Sequence, residues 1–136
     1  MNNISEHITF EEATQSATAK KMNIANIPNV EELACMVTVA NECFEKIRAW
    51  YSKPIRINSF FRCVELNKLV GGARNSQHVK GEAIDIDAGS LSENRKIFDW
   101  CKKNLVFDQL IWEYGGEWIH ISFKKGMNRN QVFSIG

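Results

Sequence analysis

The chain has 136 residues, 44% of them hydrophobic and 24% charged, the size and balance of one ordinary globular domain over 1–136. Its net charge is +1, with Lys and Arg spread along the chain, which excludes a nucleic-acid footprint and a polybasic membrane patch. No run of about 18 apolar residues exists, so no membrane-spanning helix is expected, and nothing points beyond a monomer.

The opening, Met1-Asn2-Asn3-Ile4-Ser5-Glu6-His7, has neither the basic start nor the apolar centre of a signal peptide. Synthesis in the cytoplasm without an export signal is therefore expected. Thr9-Phe10-Glu11-Glu12 has the T-x-x-E form of a capping box and predicts a short helix. Ile27-Pro28-Asn29 is a break. Asn29, with Glu32 three residues on, then caps a long helix. Its apolar face is read as Val30, Leu33, Ala34, Val37, Ala40, Phe44, Ile47 and Tyr51. Carried to Tyr51, this helix would measure about 33 Å and buttress the core.

Pro54 ends that run, and residues 55–59 alternate as a first strand would. Residues 63–70 predict a short helix stopped by Gly71-Gly72, and 73–80 a polar loop carrying His78. Residues 83–87 alternate again, with Ile84 and Ile86 on one face and Ala83, Asp85 and Asp87 on the other. Ser90-Leu91-Ser92-Glu93 is a second capping box, opening a helix lined by Ile97, Phe98, Cys101 and Leu105. Residues 107–112 and 118–123 read as a hairpin around Gly115-Gly116. The order predicts an α+β fold, an antiparallel sheet with helices packed on one side. Cys35, Cys43, Cys63 and Cys101 form no CxxC pair, so they are expected to be reduced, structural thiols.

His78, Asp85 and His120 lie on elements able to converge. Three protein ligands of this kind leave the fourth position of tetrahedral Zn²⁺ open, the count of a catalytic rather than a structural site. Each has a plainer reading, since a lone histidine on a strand is more often simply hydrogen-bonded. Asp85 could serve a turn, but an Ala-Ile-Asp-Ile run is not one, and an unpaired carboxylate on a half-buried strand is costly. His7 is left outside the set. Asp87 either orients a ligand histidine from behind or is a solvated strand end. Trp112, Tyr114 and Trp118 either wall a cleft or pack the hairpin.

Ser76-x-His78-x-x-Gly81-x-Ala83-x-Asp85 resembles the S-x-H-x-x-G-x-A-x-D signature of the zinc D-alanyl-D-alanine carboxypeptidases. That family is grouped by fold with D-Ala-D-Ala dipeptidases, phage L-Ala-D-Glu endolysins and the hedgehog signalling domain. Trp118-Ile119-His120 is similar to its second motif. Ser59-Phe60-Phe61-Arg62, Asn67, Gly71-Gly72-Ala73 and Asp108-Gln109-Leu110-Ile111 are also similar, so the likeness covers residues 55–123. It implies one Zn²⁺ held by His78, Asp85 and His120, with Gly81 supplying the bend between the first two. It implies that Ser76 orients the substrate or the site loop. Arg62 would grip a substrate carboxylate through two parallel hydrogen bonds, the alternative being a surface ion pair.

The general base stays open between two glutamates. The family's E-x-x-H spacing selects Glu117, three residues before His120. Strand parity turns Glu117 away, whereas a two-residue turn at Gly115-Gly116 would pair Glu113 with Trp118 and face it towards His120. The implied function is a zinc metallopeptidase that cuts amide bonds of peptidoglycan stem peptides at the bacterial cell wall. Both D-Ala-D-Ala carboxypeptidase and L-Ala-D-Glu endopeptidase action are compatible with it, and the small size fits a phage-type lytic enzyme. The alternatives are a zinc-containing binding module of the same fold without turnover, and a structural protein with fortuitous histidines.

Overall fold

The computed structural model describes residues 3–136. β1 (Asn3–Ser5) and β2 (Ile8–Thr9) form a small antiparallel ribbon too short to leave a periodic signature in the sequence. Thr9 then caps α1 (Phe10–Thr14). Its hydroxyl accepts from the Glu12 amide and the Glu12 carboxylate accepts from the Thr9 amide, each at 3.0 Å. α2 (Ala17–Lys21) follows.

The Asn29–Glu32 box, both bonds at 2.8 Å, opens α3 (Val30–Val39). This helix continues through a π-helical turn, Ala40–Phe44, into α4 (Glu45–Tyr51). The long helix expected over 30–51 is thus one rod with a widened turn in its middle. Its buried stripe is Met36, Val39, Ala40, Cys43, Phe44 and Ile47, whereas Val30 and Val37 are 84% and 38% exposed. The apolar face read from the sequence is therefore wrong at Val30, Ala34 and Val37, although Leu33 does pack against the core. A π turn inserts a residue and shifts the facing positions, which a uniform 3.6-residue period does not follow.

β3 (Arg56–Ser59), α5 (Val64–Leu69), a 3-10 turn (Gln77–Lys80) and β4 (Ala83–Asp87) come next. After them stand α6 (Leu91–Asn104), β5 (Gln109–Glu113), a tight turn (Tyr114–Gly116), β6 (Trp118–Ser122) and β7 (Gln131–Ile135). Strands β3, β4, β6 and β5 pair antiparallel in that order, and β7 joins β5 in parallel at the edge. The α+β class holds, with a sheet that is antiparallel except for this last strand.

The pleat sorts the sheet's side chains into two faces. Ile84, Ile86, Leu110, Ile119 and Ile121 are fully buried and pack in one core with the α3–α4 rod and α6. Burying each such side chain contributes roughly 1.5–3 kcal/mol. The opposite face carries Asp85, Ile111, Glu113 and His120, and it borders the cleft described next.

Candidate metal centre

Asp85 and His120 stand directly opposite each other across β4 and β6. His78 arrives from the 3-10 turn, where the sequence had suggested an open loop. Ser76 starts that turn, its hydroxyl accepting from the His78 amide at 3.2 Å. Gly81 ends it at φ +75°, a left-handed conformation that costs glycine nothing. A Cβ there would stand 2.5 Å from the Glu32 carbonyl oxygen and 2.8 Å from Met36 Cγ, so the chain also needs glycine for space.

All three side chains are buried, and their donor atoms lie within 4.8 Å of one another. His78 donates from Nδ1 to the Phe60 carbonyl at 2.7 Å, which leaves the Nε2 lone pair facing Asp85 Oδ2 at 3.2 Å. His120 Nδ1 lies 3.1 Å from Asp85 Oδ1 and 3.5 Å from Glu113 Oε2. Burial alone would raise the Asp85 pKa, but the adjacent His78 and His120 outweigh it and hold the carboxyl well below the usual range.

The donor set fits a zinc ion. Ligand bonds of about 2.0–2.1 Å at tetrahedral angles put neighbouring donors roughly 3.3 Å apart. Each imidazole stands about one such edge from the Asp85 carboxylate, His78 Nε2 at 3.2 Å from Oδ2 and His120 Nδ1 at 3.1 Å from Oδ1, and the three donors lie within 4.8 Å of one another. Two imidazoles converging on one buried carboxylate, with one ring locked by a backbone carbonyl, is the construction such a cation requires.

A cavity of about 770 Å³ opens over this cluster. Arg62 lines it, anchored by its backbone N–H to the His78 carbonyl at 3.2 Å. Its guanidinium makes no salt bridge among the described residues, and its Nε is buried without a partner. The ion-pair alternative for Arg62 is therefore not what this structure shows. Burial lowers its pKa, against the pull of Asp85 and Glu113.

Glu113 pairs with Trp118 across the hairpin, on the His120 face, although four residues rather than two make the turn. Burial first, and then the Asp85 charge, push its pKa up. Glu117 sits exposed on the turn at the cavity rim. Asp87 serves neither histidine: its carboxylate accepts from the Gly89 amide at 2.9 Å and from Asn94 Nδ2 at 3.0 Å, holding the β4–α6 turn. Trp118 and Tyr114 do line the cavity, their rings 5.0 Å apart, whereas Trp112 stacks edge-on with Phe98.

A strut beside the site was missed. The fully buried Asp108 accepts from Gln77 Nε2 at 2.9 Å and from Arg129 Nε and Nη2 at 2.9 and 2.7 Å. It thereby ties the His78 turn to the segment entering β7. The sequence placed Asp108 in a similar motif but carried no mark of its distant partners. At the surface, a separate group of Glu6, His7 and Glu45 joins the N-terminal ribbon to α4, with His7 Nδ1 2.6 Å from Glu45.

The zinc D-Ala-D-Ala carboxypeptidase of Streptomyces albus G is 55% identical to the chain over 38 residues, 28% of this chain and 15% of that protein. The match thus spans a small fraction of that relative's length. A much broader one comes from the Peptidase M15 family model, which matches residues 6–122. That span takes in both histidine motifs, Arg62 and the glutamates of the hairpin, and by it the chain belongs to the Peptidase M15 family.

Proposed function

We propose that the protein is a zinc-dependent peptidase acting on peptidoglycan stem peptides at the bacterial cell wall. The observation that carries this reading is the buried His78–Asp85–His120 cluster with a half-buried glutamate beside it and an unpaired arginine on the same cavity wall. His78 Nε2, an Asp85 oxygen and His120 Nδ1 would hold one Zn²⁺, which when bound supplies Lewis acidity towards the scissile carbonyl and water.

The chain's own groups do the rest. The Phe60 carbonyl holds His78 in one tautomer and one orientation. Glu113, whose pKa burial raises, takes a proton from the attacking water at Oε2 and returns it to the leaving amine nitrogen. Glu113 is the stronger candidate for this task because it lies 3.5 Å from His120 while Glu117 is exposed. Arg62 would hold a substrate carboxylate, a role suited to a guanidinium left without a protein anion. Ser76 supports both, capping the His78 turn and lying 3.5 Å from Arg62 Nη2.

The relative's printed activity supports D-Ala-D-Ala as one substrate. L-Ala-D-Glu cleavage, the endolysin type, would need the same chemistry, and mass spectrometry of digested peptidoglycan fragments distinguishes the two. Glu113→Gln should lower kcat about 10²–10⁴-fold with zinc content near one equivalent, and Glu117→Gln should have a far smaller effect. Hydrolysis undiminished by either change would refute the assignment of the proton shuttle to this pair, whereas a zinc-loaded native chain that cuts no peptide would instead favour the binding module.

A further inference from the structure

The cavity has two chemically different ends. The β4–β6 end holds the charged cluster and Arg62. At the other end β7 presents Phe133 and Ile135, which line the same cavity and are 38% and 43% exposed. Exposure by itself says little on an edge strand. Register says more, because Ile111 faces both His120 on β6 and Phe133 on β7, and Glu113 faces Ile135. Phe133 and Ile135 therefore share the face of the metal cluster. Tyr114, Trp118 and Val70 line the cavity too.

β7 is fixed in place. The Gln131 amide donates to the Asp108 carbonyl at 3.0 Å, the Asn130 amide to the Phe107 carbonyl at 2.9 Å, and Arg129 grips the Asp108 carboxylate through two hydrogen bonds. The same carboxylate holds Gln77, the neighbour of His78. The strand is thus a wall built in common with the metal site. It also lies beyond residues 6–122, the part matched to the family.

We infer that Phe133 and Ile135 form an apolar subsite for an aliphatic side chain of the peptide substrate, about three residues before the bond that is cut. The distance follows from strand geometry. Two strand spacings of about 4.8 Å separate β7 from β6, and an extended peptide covers about 3.3 Å per residue. With its carboxylate end held by Arg62, the peptide runs from the cluster towards β7. Among the described residues no cation lines the cavity at this end, so burial of apolar surface is the interaction on offer.

The inference rests on the peptidase reading for its substrate class, and its test reads binding rather than turnover. Peptides ending in D-Ala-D-Ala, with glycine elsewhere, are titrated calorimetrically into the zinc-loaded full chain carrying Glu113→Gln, with one leucine walked along the sequence. Leucine three residues before the susceptible bond should tighten binding about tenfold over the glycine parent, the scale of burying one such side chain. Phe133→Ala with Ile135→Ala should abolish that gain and leave the parent's affinity unchanged, while Phe133→Leu with Ile135→Val retains it. No leucine position showing a gain, or a gain that survives the alanine pair, overturns the subsite. A chain that shows the preference yet, with Glu113 intact, cuts no peptide supports the subsite and overturns the peptidase reading instead.

Discussion

Replacing Gly81 by alanine should unfasten the metal site through the backbone alone. At φ +75° a residue with a Cβ meets about 1–2 kcal/mol of steric strain. Loss of glycine's freedom in the unfolded chain returns about 0.4–1 kcal/mol. The new methyl would stand 2.5 Å from the Glu32 carbonyl oxygen on α3, a backbone atom unable to swing aside, and 2.8 Å from Met36 Cγ. Overpacking of that kind costs about 1–3 kcal/mol, for a net loss of about 1–5 kcal/mol. With a slope of about 2 kcal/mol per M, the urea midpoint should fall by about 0.5–2 M. Relief of the clash pushes the 77–80 turn outward and His78 with it, so zinc affinity should fall as well. Gly71 is the control: it has φ +74° but open space where a Cβ would go, so Gly71→Ala should show only the strain. If Gly81→Ala and Gly71→Ala are equally stable and equally competent in zinc binding, the reasoning from packing against α3 is wrong.

Two further outcomes follow from burial and charge. Burial pushes the Cys43 thiol up to about 12 and raises Cys101 as well, whereas Cys35 and Cys63 are only half-buried. Ellman's reagent at pH 8 should therefore titrate two thiols quickly in the native protein and four in denaturant, and four fast thiols would contradict the burial of the π turn and α6 in one core. Hydrogen bonds from Arg129 hold Asp108 down to about 2, below its unfolded value of about 3.9. Its contribution to stability is then complete above the unfolded value and lost as pH falls through about 2. Asp108→Asn should be less stable than the native chain at pH 6, with a gap that narrows towards pH 2 in urea melts, and a gap independent of pH would refute the assignment.

What was legible in the sequence was what neighbouring residues decide between themselves. The capping boxes at Thr9, Asn29 and Ser90 all mark observed helix starts, because a cap is a contact across three residues. Alternation marked β3 and β4 for the same reason, and the three chemically distinctive side chains at 78, 85 and 120 do come together in one buried group able to hold a metal. What was hidden depends on partners far along the chain. The parallel docking of β7 on β5 and the carbonyl of Phe60 behind His78 leave no local trace. The π turn at 40–44 misled the reading of α3 because it alters the period itself.

The choice between Glu113 and Glu117 shows how sequence spacing and sheet geometry separate. In an E-x-x-H spacing the two side chains meet readily on a helix, where positions three apart share a face. On a strand, positions three apart oppose each other. β6 begins at Trp118, so Glu117 belongs to the turn, and only a distortion there would swing it over the cluster. Glu113 needs no distortion. Its strand lies beside β6, and the register sets Ile111 against His120, so the next inward-facing position along β5 is Glu113. The positive φ values of Tyr114, Gly115 and Gly116 make this possible, since they reverse the chain within four residues and preserve the pairing on either side. A glutamate supplied from the neighbouring strand is held by the sheet rather than by a loop, which fixes its distance from the histidine before any ligand arrives.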